Sequence, residues 1–320
     1  MKKSLVMLLV VSSVLSTAGT AMAFSVDFNG DFRLQGRNIN DTSYKDSFFQ
    51  FRTRIGFEGK IDDNTTFFGR FGAINKLGGE GSKENNAAFD QYGVKLTDGK
   101  WKYSVGRQAV NLGLGAIIST GSDAAYNDNK FDGIVASTSG PVNMNLIAGK
   151  TTANTTGSTV AEWYGIDVST KLGSKVIGGL AYASKKDDGV GNDAINYFSA
   201  NTTIMVTDKL SFNGEFAKSD YDDQNKAYFL SGTYSRGKGS LTVQYNDVKA
   251  NAVDAYSSGI GGSAYPYGSS FAGQNYKGLT YSYTYNISKA KALNVTYLNL
   301  KNDSGSQKSN ELIGSMAYSF

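Results

Sequence analysis

The chain has 320 residues, with 32 basic against 28 acidic side chains and a net charge of +4, and it lacks the dense Lys/Arg block that holds nucleic acid. Cysteine and histidine are both absent, which excludes disulfide frameworks, thiol nucleophiles, Cys/His zinc sites and Ser-His-Asp triads. Abundant Gly (38), Tyr (20) and Phe (18) with only 2 Pro favour strands and turns, and no apolar run beyond the N-terminal segment is long enough for a membrane helix.

Residues 1–23 come first and have the form of an export signal. Lys2 and Lys3 make a basic head, Leu5 to Leu15 an apolar stretch, and Ala21-Met22-Ala23 a small-residue cleavage site. A transmembrane anchor is the competing reading, but the apolar run is short for one. The folded domain is therefore expected over 24–320.

From Phe24 the even positions Phe24, Val26, Phe28, Phe32 and Leu34 are apolar, and the odd positions Ser25 to Arg37 are polar. A period of two with one greasy and one wet face predicts a strand. Phe49 to Ile61 repeats it, with Phe49, Phe51, Ile55 and Phe57 against Gln50, Arg52, Arg54 and Glu58. Further copies follow at Trp101–Val105, Val142–Ala148, Tyr164–Val168, Leu210–Phe216, Leu241–Tyr245, Leu279–Tyr285 and Leu293–Tyr297. The last is Leu312, Gly314, Met316, Tyr318 and Phe320.

Connections of two sizes are expected to alternate strictly: short turns near 62–64, 97–100, 138–141, 173–174, 207–209, 235–239 and 286–290, and longer polar loops near Asn40, Gly79, Gly115, Asn154, Asp188, Asp222, Gly261 and Ser304. Both prolines, Pro141 and Pro266, fall in connections. This predicts an up-and-down antiparallel meander of 16 strands. A secreted sandwich or β-helix shares the alternation. Strands of about ten residues, unequal connections at the two ends and a final stretch kept as a strand favour a closed transmembrane barrel instead, because a barrel in lipid must pair its last strand with its first. Tyr318 and Phe320 would then join a periplasmic aromatic girdle. Barrels of 16 to 18 strands leave an aqueous channel. Two connections are oversized: 109–130, between the fifth and sixth strands, and 247–274, rich in Gly, Ser and Tyr.

Six of the seven arginines, Arg33, Arg37, Arg52, Arg54, Arg70 and Arg107, precede residue 108, and the first four share the polar face of strands one and two. A multidonor guanidinium suits a fixed pore field better than a mobile ammonium. Chance clustering of ordinary soluble charges is the plain alternative.

At these residues the sequence resembles the general porins of Gram-negative outer membranes. "FRTRIGFEGKIDD" resembles the family's second strand and first turn, "YSVGRQ" its fifth strand, and "GSDAAYNDNKFDG" the end of its inward-folded third loop and the start of strand six. The resemblance implies a constriction loop over 109–130, a basic cluster including Arg54 and Arg107, and an acidic loop face carrying Asp123, with Asp128 nearby. It also implies a homotrimer in the cell outer membrane, in contact with lipid and lipopolysaccharide and passing ions and small hydrophilic solutes. No enzyme activity, cofactor, metal or nucleic-acid partner is implied. The chain departs from the family where the loop has "GAIISTGSD" in place of an acidic Pro-Glu-Phe-type segment, and at Ile134 where strand six often carries arginine. Arg107 has the parity of Trp101, Tyr103 and Val105, so it points inward only if a bulge at Gly106 shifts the register. A passive diffusion channel is the leading reading. A channel selective for an anionic nutrient and an adhesive or structural barrel are the other classes, and an outer-membrane hydrolase is the weakest.

Overall fold

The computed structural model describes residues 25–42, 44–78, 85–120, 130–152, 160–188, 193–255, 257–260, 271 and 273–320; the export segment and residues 121–129, with Asp123 and Asp128, lie outside them. The strands are β1 (Val26–Asp41), β2 (Lys45–Lys60), β3 (Thr65–Leu77), β4 (Asn85–Asp98), β5 (Trp101–Gln108), β6 (Asn111–Leu112), β7 (Ile118–Ser119), β8 (Lys130–Thr138) and β9 (Val142–Thr152). The second half adds β10 (Ala161–Lys171), β11 (Val176–Asp187), β12 (Ile195–Thr207), β13 (Leu210–Ser219), β14 (Lys226–Arg236), β15 (Gly239–Val248), β16 (Tyr276–Ser288), β17 (Lys291–Asn302) and β18 (Lys308–Ser319). All but β6 and β7 form one closed antiparallel barrel in chain order, and those two make a small separate hairpin. The barrel thus has the expected 16 strands, with β5 and β8 as its fifth and sixth.

Closure is made by β1 against β18, in a register running from Asp31 opposite Ser319 to Asp41 opposite Ser309. The pairing continues one residue past β18: Phe320 N donates to Gly30 O and Gly30 N to Phe320 O, both at 3.0 Å. Each terminal backbone group therefore has a partner, as a barrel without edges requires.

The period-two pattern sets which side chains face out. Phe28, Phe49, Ile55, Leu146, Leu180, Leu230, Val295 and Leu312 are all exposed on the outer wall, whereas their sequence neighbours line the lumen. Tyr283, Tyr285 and Phe320 are exposed near the end that carries the short turns.

The strict size alternation expected from sequence does not hold. Residues 42–44, joining β1 to β2 at the loop end, are as short as the turns at the other end, because both strands continue several residues past their apolar stretch. Connection size at the loop end is free to vary, since water can satisfy backbone groups there.

The described parts of both oversized connections turn inward. Loop A (109–129) carries the β6–β7 hairpin, whose Leu112, Ile117 and Ile118 are fully buried with Val110 against the lumen-facing Phe131, Ile147, Ala161 and Trp163. Loop B (249–275) packs Ala252, Val253, Ile260 and Phe271 against Ala217, Ala227, Val248, Tyr276, Leu298, Leu300 and Ile313, all on the inner face of β13–β18. The only two apolar clusters among the described residues thus lie inside the barrel.

Candidate functional site

The lumen wall of β1–β4 is built from inward positions that oppose one another across the ladder. Arg33 faces Arg52, Asp31 faces Arg54, Gln35 faces Gln50 and Arg37 faces Phe48. Arg70 has the inward parity of β3, two residues from Phe68 and from Gly72, which pairs with Arg54. Five of the sequence-selected arginines, Arg33, Arg37, Arg52, Arg54 and Arg70, are brought together on this wall.

Carboxylates on the same wall hold them. Asp31 accepts from Arg52 Nη2 at 2.9 Å through one oxygen and from Arg54 Nε at 2.7 Å through the other. Asp90 receives a two-pronged bond from Arg70, Nε to Oδ1 at 2.9 Å and Nη2 to Oδ2 at 2.8 Å. Arg37 Nε donates to Glu311 of β18, and Lys76 Nζ reaches Asp46 at 3.2 Å while lying 4.1 Å from the centre of the Phe48 ring. Forked guanidinium–carboxylate bonds fix both partners more rigidly than a lysine does.

Sequence inspection selected none of these acids, although two were legible. Asp31 sits two residues before Arg33 and Glu311 shares the polar parity of the final strand, so both had to face the lumen. Asp90 left no such signal. It is the extra residue of a bulge between the pairs Arg70–Gln91 and Phe71–Phe89, and a bulge is decided by pairing.

Arg107 is a correction. Its ladder runs without a shift through Tyr92–Arg107, Gly93–Gly106 and Val94–Val105, and on the other side through Arg107–Asp132 and Gln108–Phe131. The glycine at 106 does take φ +134°, but the register stays unbroken, so the inward positions are Ser104, Gly106 and Gln108. Arg107 therefore lies on the outer wall with Val105 and Ile134, both largely exposed. It makes a bidentate bond to Asp132, 2.7 Å on each prong, and its guanidinium lies 5.7 Å from the centre of the Tyr92 ring. At about 3.3 Å per residue it is roughly 20 Å along the strand from the short turn.

The wall opposite, on β10–β13, carries two further acids that the sequence reading passed over, and they hold loop A. Asp167 accepts from Gly113 N at 3.3 Å and from Asn145 Nδ2 at 3.2 Å. Glu215 Oε2 accepts from Leu114 N at 3.2 Å and Ala116 N at 3.1 Å. Gly113 has φ +65°, and a Cβ there would stand 2.2 Å from Glu215 Oε1, so only glycine fits this approach. Away from the apolar patch under loop B, the inner face of β12–β17 is rich in neutral hydroxyls and amides that pair across strands, among them Thr233 with Thr242 at 2.9 Å and Ser282 with Thr296 at 2.8 Å.

A closed barrel of 16 antiparallel strands with a loop folded into a polar, charge-lined lumen is the architecture of a porin. Solved porin structures share this fold. An engineered variant of the Rh. blastica porin superposes with a TM-score of 0.60 at 14% identity, covering 92% of this chain and 100% of that one. A triple mutant of the Rhodopseudomonas blastica porin gives 0.57 at 12% identity with the same coverage. At these identities the likeness is one of fold. No family model matches the chain, and no curated protein matches it.

Proposed function

We propose that the protein is an outer-membrane porin, a water-filled channel for passive diffusion of ions and small hydrophilic solutes. The observation that carries this reading is the enclosed lumen itself, with an ionised wall on β1–β4 and a hydroxyl and amide wall on β12–β17 inside an apolar outer surface. The porin architecture of the Rh. blastica structures supports it, and so does a further neighbour, "Asymmetric conductivity of engineered proteins", with a TM-score of 0.58 and 13% identity. Residues 1–23 would be the cleaved export signal, and the apolar belt would contact lipid and lipopolysaccharide.

The constriction in this reading lies between loop A and the wall of Arg33, Arg37, Arg52, Arg54 and Arg70; by the family resemblance Asp123 and Asp128, which lie outside the described residues, would add acids on the loop side. Its net field is weak. Asp31, Asp90 and Glu311 offset the arginines locally, and Asp167 and Glu215 stand across the lumen, so permeation is expected to be close to neutral in ion preference. The same pairing argues against a dedicated anionic-nutrient site, in which arginine donors would be turned toward the solute.

A homotrimer is the assembly proposed. The Arg107–Asp132 pair supports it: an ion pair on the outer wall at about mid-depth of a ~25 Å apolar band is costly against lipid and better placed against a protein neighbour. Native mass spectrometry in mild detergent should give three chains; a single-chain mass overturns the trimer. The channel reading is tested in planar bilayers. Conductance should rise linearly with potassium chloride, and saturation with a carboxylate or phosphate solute would favour the selective channel instead.

A further inference from the structure

The inner face of an aqueous barrel should be polar along its whole height, but here two sectors are not: one lies under loop A, and the second lies elsewhere on the wall. Near the loop end of β13–β18 the inward positions include Ala217, Ala227, Leu298, Leu300 and Ile313, each 1% exposed or less. Such a patch is stable only if something apolar covers it. Loop B does so, with Val253, Ile260 and Phe271.

We infer that loop B is a second, separately anchored constriction element, so that the channel's cross-section is set by two loops. This rests on the channel reading above and extends it. Besides its root, where Lys249 pairs with Asp247 and Asp303 and Ser219 donates to Asn251 O, loop B is seated at three further places. Lys185 of β11 reaches in to Asp254 at 2.6 Å and also holds Asp187 at 2.9 Å, and Asp254 Oδ1 accepts from Ser257 N at 2.6 Å. Tyr276, fully buried, donates from its hydroxyl to Ile260 O at 2.6 Å. Against loop A the contact is backbone to backbone: Ser119 N donates to Ser257 O at 2.6 Å and Gly259 N to Gly115 O at 2.9 Å, while the buried Ser258 hydroxyl donates to Ala116 O.

The two loops therefore brace each other. Glu215 holds Ala116 N from the barrel side while Ser258 holds Ala116 O from the loop B side. A segment fixed at both backbone groups of one residue is not a freely moving flap. The open water is left beside the arginine wall, and loop B narrows it from the side of β13–β18. Lys185 is the positioning residue: it is the charged group of the barrel wall that reaches loop B beyond its root at Lys249, and its partner Asp254 is 8% exposed.

The chain has no cysteine, so an engineered pair is unambiguous. A Cβ placed on Gly259 stands 3.3 Å from Ser119 Cβ, slightly inside the spacing that a disulfide spans, and 3.1 Å from Gly115 O, so the two loops must give by a few tenths of an ångström to form the bond. In the refolded full-length Ser119→Cys/Gly259→Cys channel, mild oxidation should form this bond, read as loss of both free thiols, and the conductance of this oxidised pair is the reference for the variants that follow. Lys185→Met alone should raise the conductance in potassium chloride by about 1.5-fold or more and admit larger polyethylene glycols. Adding the oxidised cysteine pair to Lys185→Met should restore the reference values, which a general loss of stability would not do. Failure to cross-link in a conducting channel overturns the two-loop arrangement. Unchanged conductance and exclusion size in Lys185→Met, with the barrel intact by heat-modified gel mobility, overturns the role of Lys185 and loop B in pore size. Absence of any conductance in the unaltered chain overturns the channel reading itself, and the cross-link still reports on the loop.

Discussion

The wall of β1–β4 and the wall of β10–β13 both carry acids into the lumen, yet they use them in opposite ways. On the first, Asp31 and Asp90 bind guanidinium groups, and the product is a fixed pattern of charge facing water. On the second, Asp167 and Glu215 bind backbone amides, and the product is a fixed position of a loop. A carboxylate has several acceptor sites and binds a guanidinium more strongly than an amide, so what it does is decided by which donors the fold brings within its reach. The first wall should therefore govern ion preference and the second pore geometry, and substitutions should separate the two.

The largest effect is expected at Glu215. Replacing it with leucine leaves the amides of Leu114 and Ala116 without their acceptor, at about 1–3 kcal/mol for each buried donor that stays unsatisfied. Urea denaturation should show the loss, and conductance should become larger and noisier as loop A leaves its seat. A quiet, unaltered channel in Glu215→Leu would dissolve the distinction between the walls. Gly113→Ala comes next. It requires a left-handed alanine, which costs about 1–2 kcal/mol, and it drives a methyl into Glu215 Oε1, so it should shift conductance in the same direction as Glu215→Leu. Combining the two should add little, since both release one contact.

Smaller effects are expected on the arginine wall, and these should alter selectivity while pore size stays nearly constant. Arg54→Ala should move the reversal potential in a potassium chloride gradient toward cation preference, most clearly at low salt where screening is weak. Arg107→Ala should leave the reversal potential where it was, because its side chain is on the outer wall, and should instead weaken the assembled protein in detergent. An equal shift from both variants would place Arg107 in the lumen and contradict the unbroken register.

The smallest effect is at the rim, outside both walls. Hydrogen bonding from Lys249 holds the Asp303 carboxyl below its ordinary value of 3.8, with Lys277 adding attraction and Asp247 sharing the Lys249 ammonium. Because the folded value is depressed, the contribution is complete above the ordinary aspartate range and is lost as pH falls through the folded value. Melting temperatures of the parent and Asp303→Asn should differ slightly at neutral pH and converge in strong acid. A gap that widens in acid would reverse the sign and exclude this contact as its source.

How much of this was legible in the sequence follows from the range of each interaction. Strand existence, inward and outward parity and the strand count depend on residues two apart, so the alternation from Val26 to Phe320 determined the barrel and put Arg33, Arg37, Arg52 and Arg54 on one face. The oversized connections were visible as length alone. The inward fold of loop A was expected from the family resemblance, but the destination of loop B was not: it enters the lumen because Leu298 and Leu300, on the face that should be polar, need an apolar cover, and that need exists only once β17 is paired on both sides. The place of Asp90 and the outward turn of Arg107 were likewise settled by pairing. One extra residue against β3 makes a bulge, and an unbroken ladder against β4 and β8 does not. Local periodicity fixes which face a side chain is on, but register across strands is a property of two distant segments together, and only the closed tertiary structure decides it.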